Sequence, residues 1–183
     1  MRLVWPATEF LPGYVNALER GWSPDNRRPE AAREELVQIA GNAAGFIGEQ
    51  VDRAGKGPPI ILPDGRSVPR LPGYHQWIWD GEFCGVMNFR WQPGTTDLPP
   101  TCLGHIGYSV VPWKQRRGYA TRGLALLLAN AKHEELPFVE LVTDVVNTAS
   151  QKVIEANGGT VYERFFKPEN YGGAESFRYR IKL

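Results

Sequence analysis

A short basic segment between two apolar stretches carries the clearest chemical signal in the sequence. It reads Gln-Arg-Arg-Gly-Tyr-Ala over 115–120, after the apolar run 106–112 and before an amphipathic run over 121–133. That order predicts a strand, a tight loop and a helix. The first turn of a helix leaves backbone N–H groups unpaired and carries partial positive charge. Gly118 lets the backbone approach a ligand closely. The segment therefore predicts a site for a phosphate or diphosphate group.

Two other phosphate-binding loops do not match this sequence. A Walker A loop requires G-x-x-x-x-G-K-[ST], and the dinucleotide loop requires G-x-G-x-x-G. Neither pattern occurs in the chain. The remaining alternative is an ordinary strand-to-helix turn that carries a few surface arginines.

The spacing Gln/Arg-x-x-Gly-x-Gly/Ala resembles the acyl-CoA diphosphate loop of the GNAT superfamily of N-acetyltransferases. A second matching segment, 147–159, begins with Asn147 and ends with Asn157-Gly158-Gly159. The resemblance implies an α/β (α+β) GNAT fold, in which helices flank both faces of a central, mixed, twisted β-sheet. It also implies a single domain over 1–183, a CoA-binding core over about 103–160, and acetyl-CoA as co-substrate.

The resemblance assigns roles to the residues of both segments. Backbone N–H groups over 116–121 would hold the diphosphate, and the backbones of Val110 and Val111 would pair with the pantetheine arm. Asn147 would bond the arm, although an N-cap of the following helix is the alternative role. The expected cofactor-binding residues are Val110, Val111, Gln115, Arg116, Arg117, Gly118, Tyr119, Ala120, Thr121, Asn147 and Ser150.

The catalytic groups depart from the family pattern. Many GNAT enzymes carry a Tyr seven residues after the Asn, where it protonates the leaving thiolate, but this chain has Ile154 there. Some members use a Glu near the start of the central strand, where this chain has Gly104. The candidates that remain are Ser150 as a hydroxyl donor and His105 or Tyr108 on the central strand. Packing roles are the alternative for His105 and Tyr108, which alternation places on opposite faces of the strand.

Composition restricts the classes of partner. The net charge of +1 gives no global field for nucleic acid or a membrane. An anion site must then be local, and its best candidate is the basic cluster Lys114, Arg116, Arg117 and Arg122. The two cysteines have no metal-ligand spacing, so we expect no metal site. Free thiols, the lack of a signal-peptide pattern and the lack of an 18-residue apolar stretch predict a cytoplasmic protein.

The periodicity of apolar residues predicts the elements that must position these groups. The predicted order is β-α-α-β-β-β-α-β-α-β-β. The ranges are 3–5, 8–20, 29–53, a hairpin over 75–90, 103–111, 121–133, 138–146, 148–156, 160–166 and 176–183. A connector rich in Gly and Pro is predicted over 55–72, with an optional further short strand over 60–62. The apolar run 138–146 predicts a strand covered on both faces.

Three functional hypotheses follow. The first is an N-acetyltransferase in which a primary amine attacks acetyl-CoA directly in a ternary complex. The acceptor would be a small metabolite, an antibiotic-like amine, a peptide N-terminus or a lysine. The second is a non-catalytic CoA-binding or regulatory module, and the third is a nucleotide-binding protein of another α/β fold. Exposed strand edges and the aromatic hairpin permit a homodimer, and tryptophans 77, 79, 91 and 113 could line an acceptor pocket.

Overall fold

The computed structural model describes residues 1–26, 28–62 and 65–183. Pro63 and Asp64 of the predicted connector 55–72 lie outside these ranges. Ten strands and four α-helices are assigned in the described residues. The strands are β1 Arg2–Val4, β2 Val51–Asp52, β3 Ile60–Ile61, β4 Ser67–Val68, β5 Gly73–Trp79, β6 Phe83–Arg90, β7 Ile106–Val110, β8 Phe138–Asp144, β9 Thr160–Phe166 and β10 Glu175–Lys182. The helices are α1 Leu11–Glu19, α2 Ala31–Glu49, α3 Tyr119–Ala131 and α4 Thr148–Glu155.

The larger sheet has the strand order β1-β5-β6-β7, and β2 also pairs with β5. All of these pairs are antiparallel. The hairpin β5–β6 forms the centre of the sheet, and β7 lies at its edge. The predicted hairpin over 75–90 is therefore confirmed. Its turn is Asp80-Gly81, where Gly81 has φ +114°, a value that L side chains rarely adopt.

The smaller sheet has the order β8-β10-β9, again with antiparallel pairs. The two sheets meet where β7 begins. There the His105 N–H donates to the Glu140 carbonyl at 2.8 Å, and the Glu140 N–H donates to His105 Nδ1 at 3.0 Å. Beyond this junction β7 and β8 form no ladder among the described residues. A slot therefore opens between the two strands.

Helices cover both faces of the larger sheet. On one face, Leu124 and Leu127 of α3 and Ile154 of α4 pack with residues of both sheets in one buried cluster. On the other face, Tyr14 and Leu18 of α1 pack with Phe46 of α2 in a second cluster, which includes Trp77. The predicted fold class, with helices on both faces of a twisted sheet, is confirmed.

Local sequence explains where the structure departs from the predicted ranges. The helix expected over 29–53 ends at Glu49 and is interrupted at Asn42 (φ −156°, ψ 82°), in its glycine-rich half. The strand expected over 138–146 ends at Asp144, and it alternates buried and half-buried residues. The prediction that this strand is covered on both faces is wrong, since its second face borders an open cleft.

None of the helices in the described ranges is both long and apolar enough to cross a membrane.

Candidate functional site

The loop before α3 presents an array of unpaired backbone donors. Arg116 (φ 58°) and Gly118 (φ 77°) both adopt left-handed conformations, and Gly118 is the N-cap of α3 without a side-chain cap bond. Within the described residues, none of the six consecutive N–H groups over 116–121 donates a hydrogen bond to a protein acceptor. The first protected amide is that of Arg122, which donates to Gly118. Unpaired donors beside a helix N-terminus are the arrangement that anions bind in other proteins.

A buried lysine fixes this loop to the turn between β5 and β6. The Lys114 ammonium lies 3.1 Å from Asp80 and 2.7 Å from Glu82, with 9% of its side chain exposed. The Tyr119 hydroxyl also donates to Asp80. The bond with Glu82, and then that with Asp80, raise the pKa of Lys114 above its ordinary value against the effect of burial. Burial raises the pKa of Asp80, but the bonds from Tyr119 and Lys114 outweigh it and hold the pKa well below its usual value.

This arrangement corrects the predicted basic cluster. Lys114 is neutralised beneath the loop, so it does not face a ligand there. Arg116, Arg117 and Arg122 remain exposed, and none of them forms an ion pair in the described part of the chain. Three exposed cations thus lie on or next to the loop that carries the backbone donors, and their charge adds long-range attraction for an anion.

The edge strand β7 offers backbone groups to the slot. The Val111 N–H donates to the Cys84 carbonyl at 3.1 Å, and the Arg90 N–H donates to the His105 carbonyl at 2.9 Å. Bonded and non-bonded pairs alternate along antiparallel strands, so the odd-numbered residues of β7 bond to β6. The backbone groups of Tyr108 and Val110 therefore point away from β6 into the slot.

The two valines predicted to pair with a ligand differ in this respect. The Val110 carbonyl accepts from the Gln115 side chain at 3.1 Å, which closes the loop on the strand end, and its N–H faces the slot. Val111 uses its N–H for Cys84, and its carbonyl accepts from the Lys114 N–H at 2.9 Å. The expectation that Val111 also offers its backbone does not fit this geometry.

Asn147 caps helix α4 at the end of the slot. Its side-chain oxygen accepts from the Ser150 N–H at 3.1 Å, and the residue is exposed. The side-chain NH₂ group forms no hydrogen bond among the described residues. One end of the amide thus stabilises the helix, while the donor end is free. Asn157, from the same predicted segment, donates to the Thr121 carbonyl at 3.2 Å and so ties α4 to the first turn of α3.

The structure brings Tyr108 and Ser150 together. The Tyr108 hydroxyl is buried and, within the described residues, has no hydrogen-bond partner. Burial raises the pKa of this hydroxyl, and an interaction with the Ser150 side chain partly offsets the rise. A protonated hydroxyl without a partner, next to the slot, can donate to a group that enters it.

His105 lies apart from these two groups, at the junction of the sheets. It is 1% exposed, and burial lowers the pKa of its ring to about 4. Its Nδ1 accepts from the Glu140 N–H, so the ring proton is on Nε2, which is buried without a partner in the described chain. The ring has no free lone pair for a proton, and the geometry favours a role in joining the sheets. Ile154, at the position of the family Tyr, is 1% exposed in the main core.

An open cleft of about 490 Å³ lies on the free face of the smaller sheet. Its walls are the loop 97–103, the end of β9, and the side chains of Glu140, Arg178 and Arg180. Glu140 pairs with both arginines, at 3.2 and 2.7 Å. Leu103 and Glu140 place this cleft next to the closed end of the slot. Trp77 and Trp91 are buried in the cores, and Trp113 stacks against Arg20 at 3.5 Å, so the cleft is not lined by tryptophan.

Spacing could not predict the groups that hold the loop. Asp80 and Glu82 lie more than thirty residues before Lys114, and the Asp-Gly pair indicates only a turn. The cleft residues Glu140, Arg178 and Arg180 carry no motif. Only alternation along β8 and β10, which places the three side chains on one face, could have grouped them.

Comparisons with known proteins agree on one family. Residues 66–160, more than half of the chain, match the family model described as the acetyltransferase (GNAT) domain. No curated protein matches the chain.

Two solved structures illustrate the likeness in fold. The microcin C7 self-immunity acetyltransferase MccE, in complex with acetyl-CoA and AMP, superposes with a TM-score of 0.60 at 13% identity, over 99% of this chain and 91% of its own. RimL, the ribosomal L7/L12 α-N-protein acetyltransferase in complex with CoA, gives 0.61 at 14% identity, over 99% and 93%. At this level of identity the likeness shows the fold.

Proposed function

The chain belongs to the GNAT family of acetyltransferases, and we propose that it transfers an acetyl group from acetyl-CoA to a primary amine. The observation that carries this proposal is the run of six unpaired N–H groups over 116–121 at the start of α3. A diphosphate offers several acceptor oxygens at one spot, which is what such a run requires. The acetyl-CoA and CoA found in MccE and RimL support the choice of ligand.

The slot residues would align the pantetheine arm. Tyr108 and Val110 present backbone groups toward the slot, and an extended amide-containing chain can pair with them as an added strand would. The free amide NH₂ of Asn147 would donate to the arm from the opposite side. An arm that enters from the loop over 116–121 then runs back along β7, so its reactive end lies near Tyr108.

Tyr108 is the group that we propose as proton donor. The amine attacks the thioester carbonyl, so that a C–N bond forms and the C–S bond breaks. The sulfur takes a proton from Tyr108, and the proton that the amine nitrogen loses passes to solvent, which reprotonates Tyr108. The raised pKa of the Tyr108 hydroxyl keeps its proton in place at neutral pH. Ser150 would orient this hydroxyl as a positioning residue, since the two side chains interact.

The cleft next to the closed end of the slot is our proposed acceptor site. The loops 92–101 and 167–174, whose sequences carry no recognisable motif and where we expect acceptor specificity to lie, contribute to it through residues 97–100 and Pro168. RimL is named for a ribosomal protein and MccE for self-immunity to microcin C7, so the two do not identify the acceptor of this chain. A cytoplasmic location is part of the proposal, because Cys84 and Cys102 are both free thiols.

A two-stage experiment tests the proposal. Calorimetric titration of acetyl-CoA, with ATP and NAD as controls, measures the cofactor site alone. Thiol release is then followed with a panel of small amines, peptides with free N-termini and lysine peptides. Selective binding with amine-dependent thiol release supports an acetyltransferase. Binding without release for any amine would instead support the non-catalytic CoA module, and lack of binding would overturn both.

A further inference from the structure

Strand β9 is an unprotected sheet edge. It pairs only with β10 in the described chain, and six of its seven residues are exposed. Tyr162 is 60% exposed and Phe166 is 71% exposed. Its two charged side chains already have partners, since Glu163 pairs with Arg178 at 2.8 Å and Arg164 with Glu175 at 2.8 Å. Proteins usually protect such edges with proline, unpaired lysine or a covering segment. Here the edge is apolar, neutral and open.

The outward backbone groups of β9 are set by its ladder with β10. The Lys167 N–H donates to the Ala174 carbonyl at 3.1 Å, and Phe165 faces Ser176 while Glu163 faces Arg178. Residues 163, 165 and 167 therefore bond to β10. The N–H and C=O groups of Arg164 and Phe166 point outward, where a further strand could pair with them.

The sequence of β9 selects one register for pairing with itself. When two copies of β9 pair antiparallel, a two-fold axis normal to the sheet relates them. Residues that lie opposite each other point to the same face, so their numbers are both odd or both even. One residue must therefore lie opposite its own copy at the axis. An axis at Glu163 or at Arg164 places like charges directly opposite, which destabilises the pair. An axis at Phe165 places Phe165 opposite Phe165, Arg164 opposite Phe166 and Glu163 opposite Lys167. In that register Arg164 and Phe166 exchange backbone bonds, and Pro168 ends the pairing.

We propose that the outer edge of β9 is the dimer interface of this protein, with two copies joined antiparallel about Phe165. The interaction extends the three-stranded sheet into six strands across two molecules. The side chains of Tyr162, Phe165 and Phe166 also line the cleft, so the second copy would border the cleft along the edge of β9. A single strand pair buries less area than a standard interface, so the dimer dissociates on dilution.

A cysteine at the symmetry centre tests both the interface and its register. At a non-bonded antiparallel pair the two Cα atoms are about 4.5 Å apart, which a disulfide can span. In the full chain carrying Cys102→Ser, where the other thiol Cys84 is buried, Phe165→Cys is incubated in a glutathione redox buffer. We expect a disulfide-linked dimer of Phe165→Cys at protein concentrations where the wild type sediments as a dimer.

The matched control is Tyr162→Cys in the same background. Its side chain is the more exposed of the two, yet the proposed register separates the two copies of residue 162 by six positions, about 20 Å. Tyr162→Cys should therefore stay monomeric on non-reducing gels, and circular dichroism verifies that both variants fold. Linkage of Tyr162→Cys, equal linkage of both variants, or no linkage of Phe165→Cys would each overturn the proposal.

Discussion

Asn147 offers a test that separates binding from stability, because the two ends of its side chain do different work. The oxygen caps α4 through the Ser150 N–H, while the NH₂ group is free for a ligand. Asn147→Ala removes both functions, whereas Asn147→Ser keeps a neutral capping oxygen and removes only the amide donor. Loss of the cap costs about 1 kcal/mol. In a chain of this length that lowers the Tm by about 2–4 °C.

The binding effect should be the same in both variants. Loss of one neutral hydrogen bond to the pantetheine arm costs about 0.5–1.5 kcal/mol, or about a two- to thirteenfold weaker Kd for acetyl-CoA. Calorimetry measures the Kd, and differential scanning calorimetry measures the Tm. We expect Asn147→Ser to melt like the wild type but to bind more weakly, and Asn147→Ala to show both losses. Wild-type affinity in Asn147→Ser would mean that Asn147 is only a cap.

Two further predictions concern residues around the site, and a third concerns Glu35 of α2, which accepts a hydrogen bond from the Tyr14 hydroxyl. Lys114→Met leaves Asp80 without its buried partner and should lower the free energy of unfolding by about 2 kcal/mol, since Glu82 is 64% exposed and regains its hydration. Chemical denaturation measures this loss, with the exposed Lys132→Met as control. Equal losses in the two variants would contradict the prediction. Tyr108→Phe should slow thiol release about 10²- to 10⁴-fold with little loss of stability, because the buried hydroxyl has no partner at hydrogen-bond geometry and only its interaction with Ser150 is lost. A rate near that of the wild type would exclude Tyr108 as the acid. Burial raises the pKa of Glu35 from 4.5 to about 7, so the folded state holds a proton that the unfolded state releases at lower pH. Between about pH 5 and pH 8, the free energy of unfolding of the wild type should therefore fall by about 1–2 kcal/mol relative to that of Glu35→Gln, after allowance for partial exposure. Chemical denaturation across this pH range measures the difference, and parallel profiles for the two proteins would contradict the prediction.

The anion loop could be predicted because its chemistry is local. Six consecutive residues, a preceding apolar run and a following amphipathic run specify a strand, a loop and a helix start. Gly118 was predicted only to allow a close approach of the backbone to a ligand; its left-handed conformation (φ 77°) is a finding of the structure. Asn147 was readable as a cap because its role depends on the residue three positions later.

The groups that support the loop could not be read from the sequence, because they meet only after long-range strand pairing. Lys114 looked like part of a basic surface cluster until the β5–β6 turn placed two carboxylates beside it. Val111 looked equivalent to Val110, but the register with β6 decides which backbone faces the slot. Alternation correctly separated His105 from Tyr108, yet it could not show that one joins two sheets while the other lies next to Ser150.

The central claim, that the backbone over 116–121 holds the diphosphate of acetyl-CoA, is tested most directly by one matched pair of glycine variants. Gly118 and Gly172 are both left-handed, and an added Cβ would contact nothing within 4 Å at either position. Gly118→Val and Gly172→Val should therefore carry similar backbone strain, about 1–2 kcal/mol. Titration of acetyl-CoA should show binding to the wild type and to Gly172→Val but a large loss for Gly118→Val. Equal affinity in all three proteins would contradict the account.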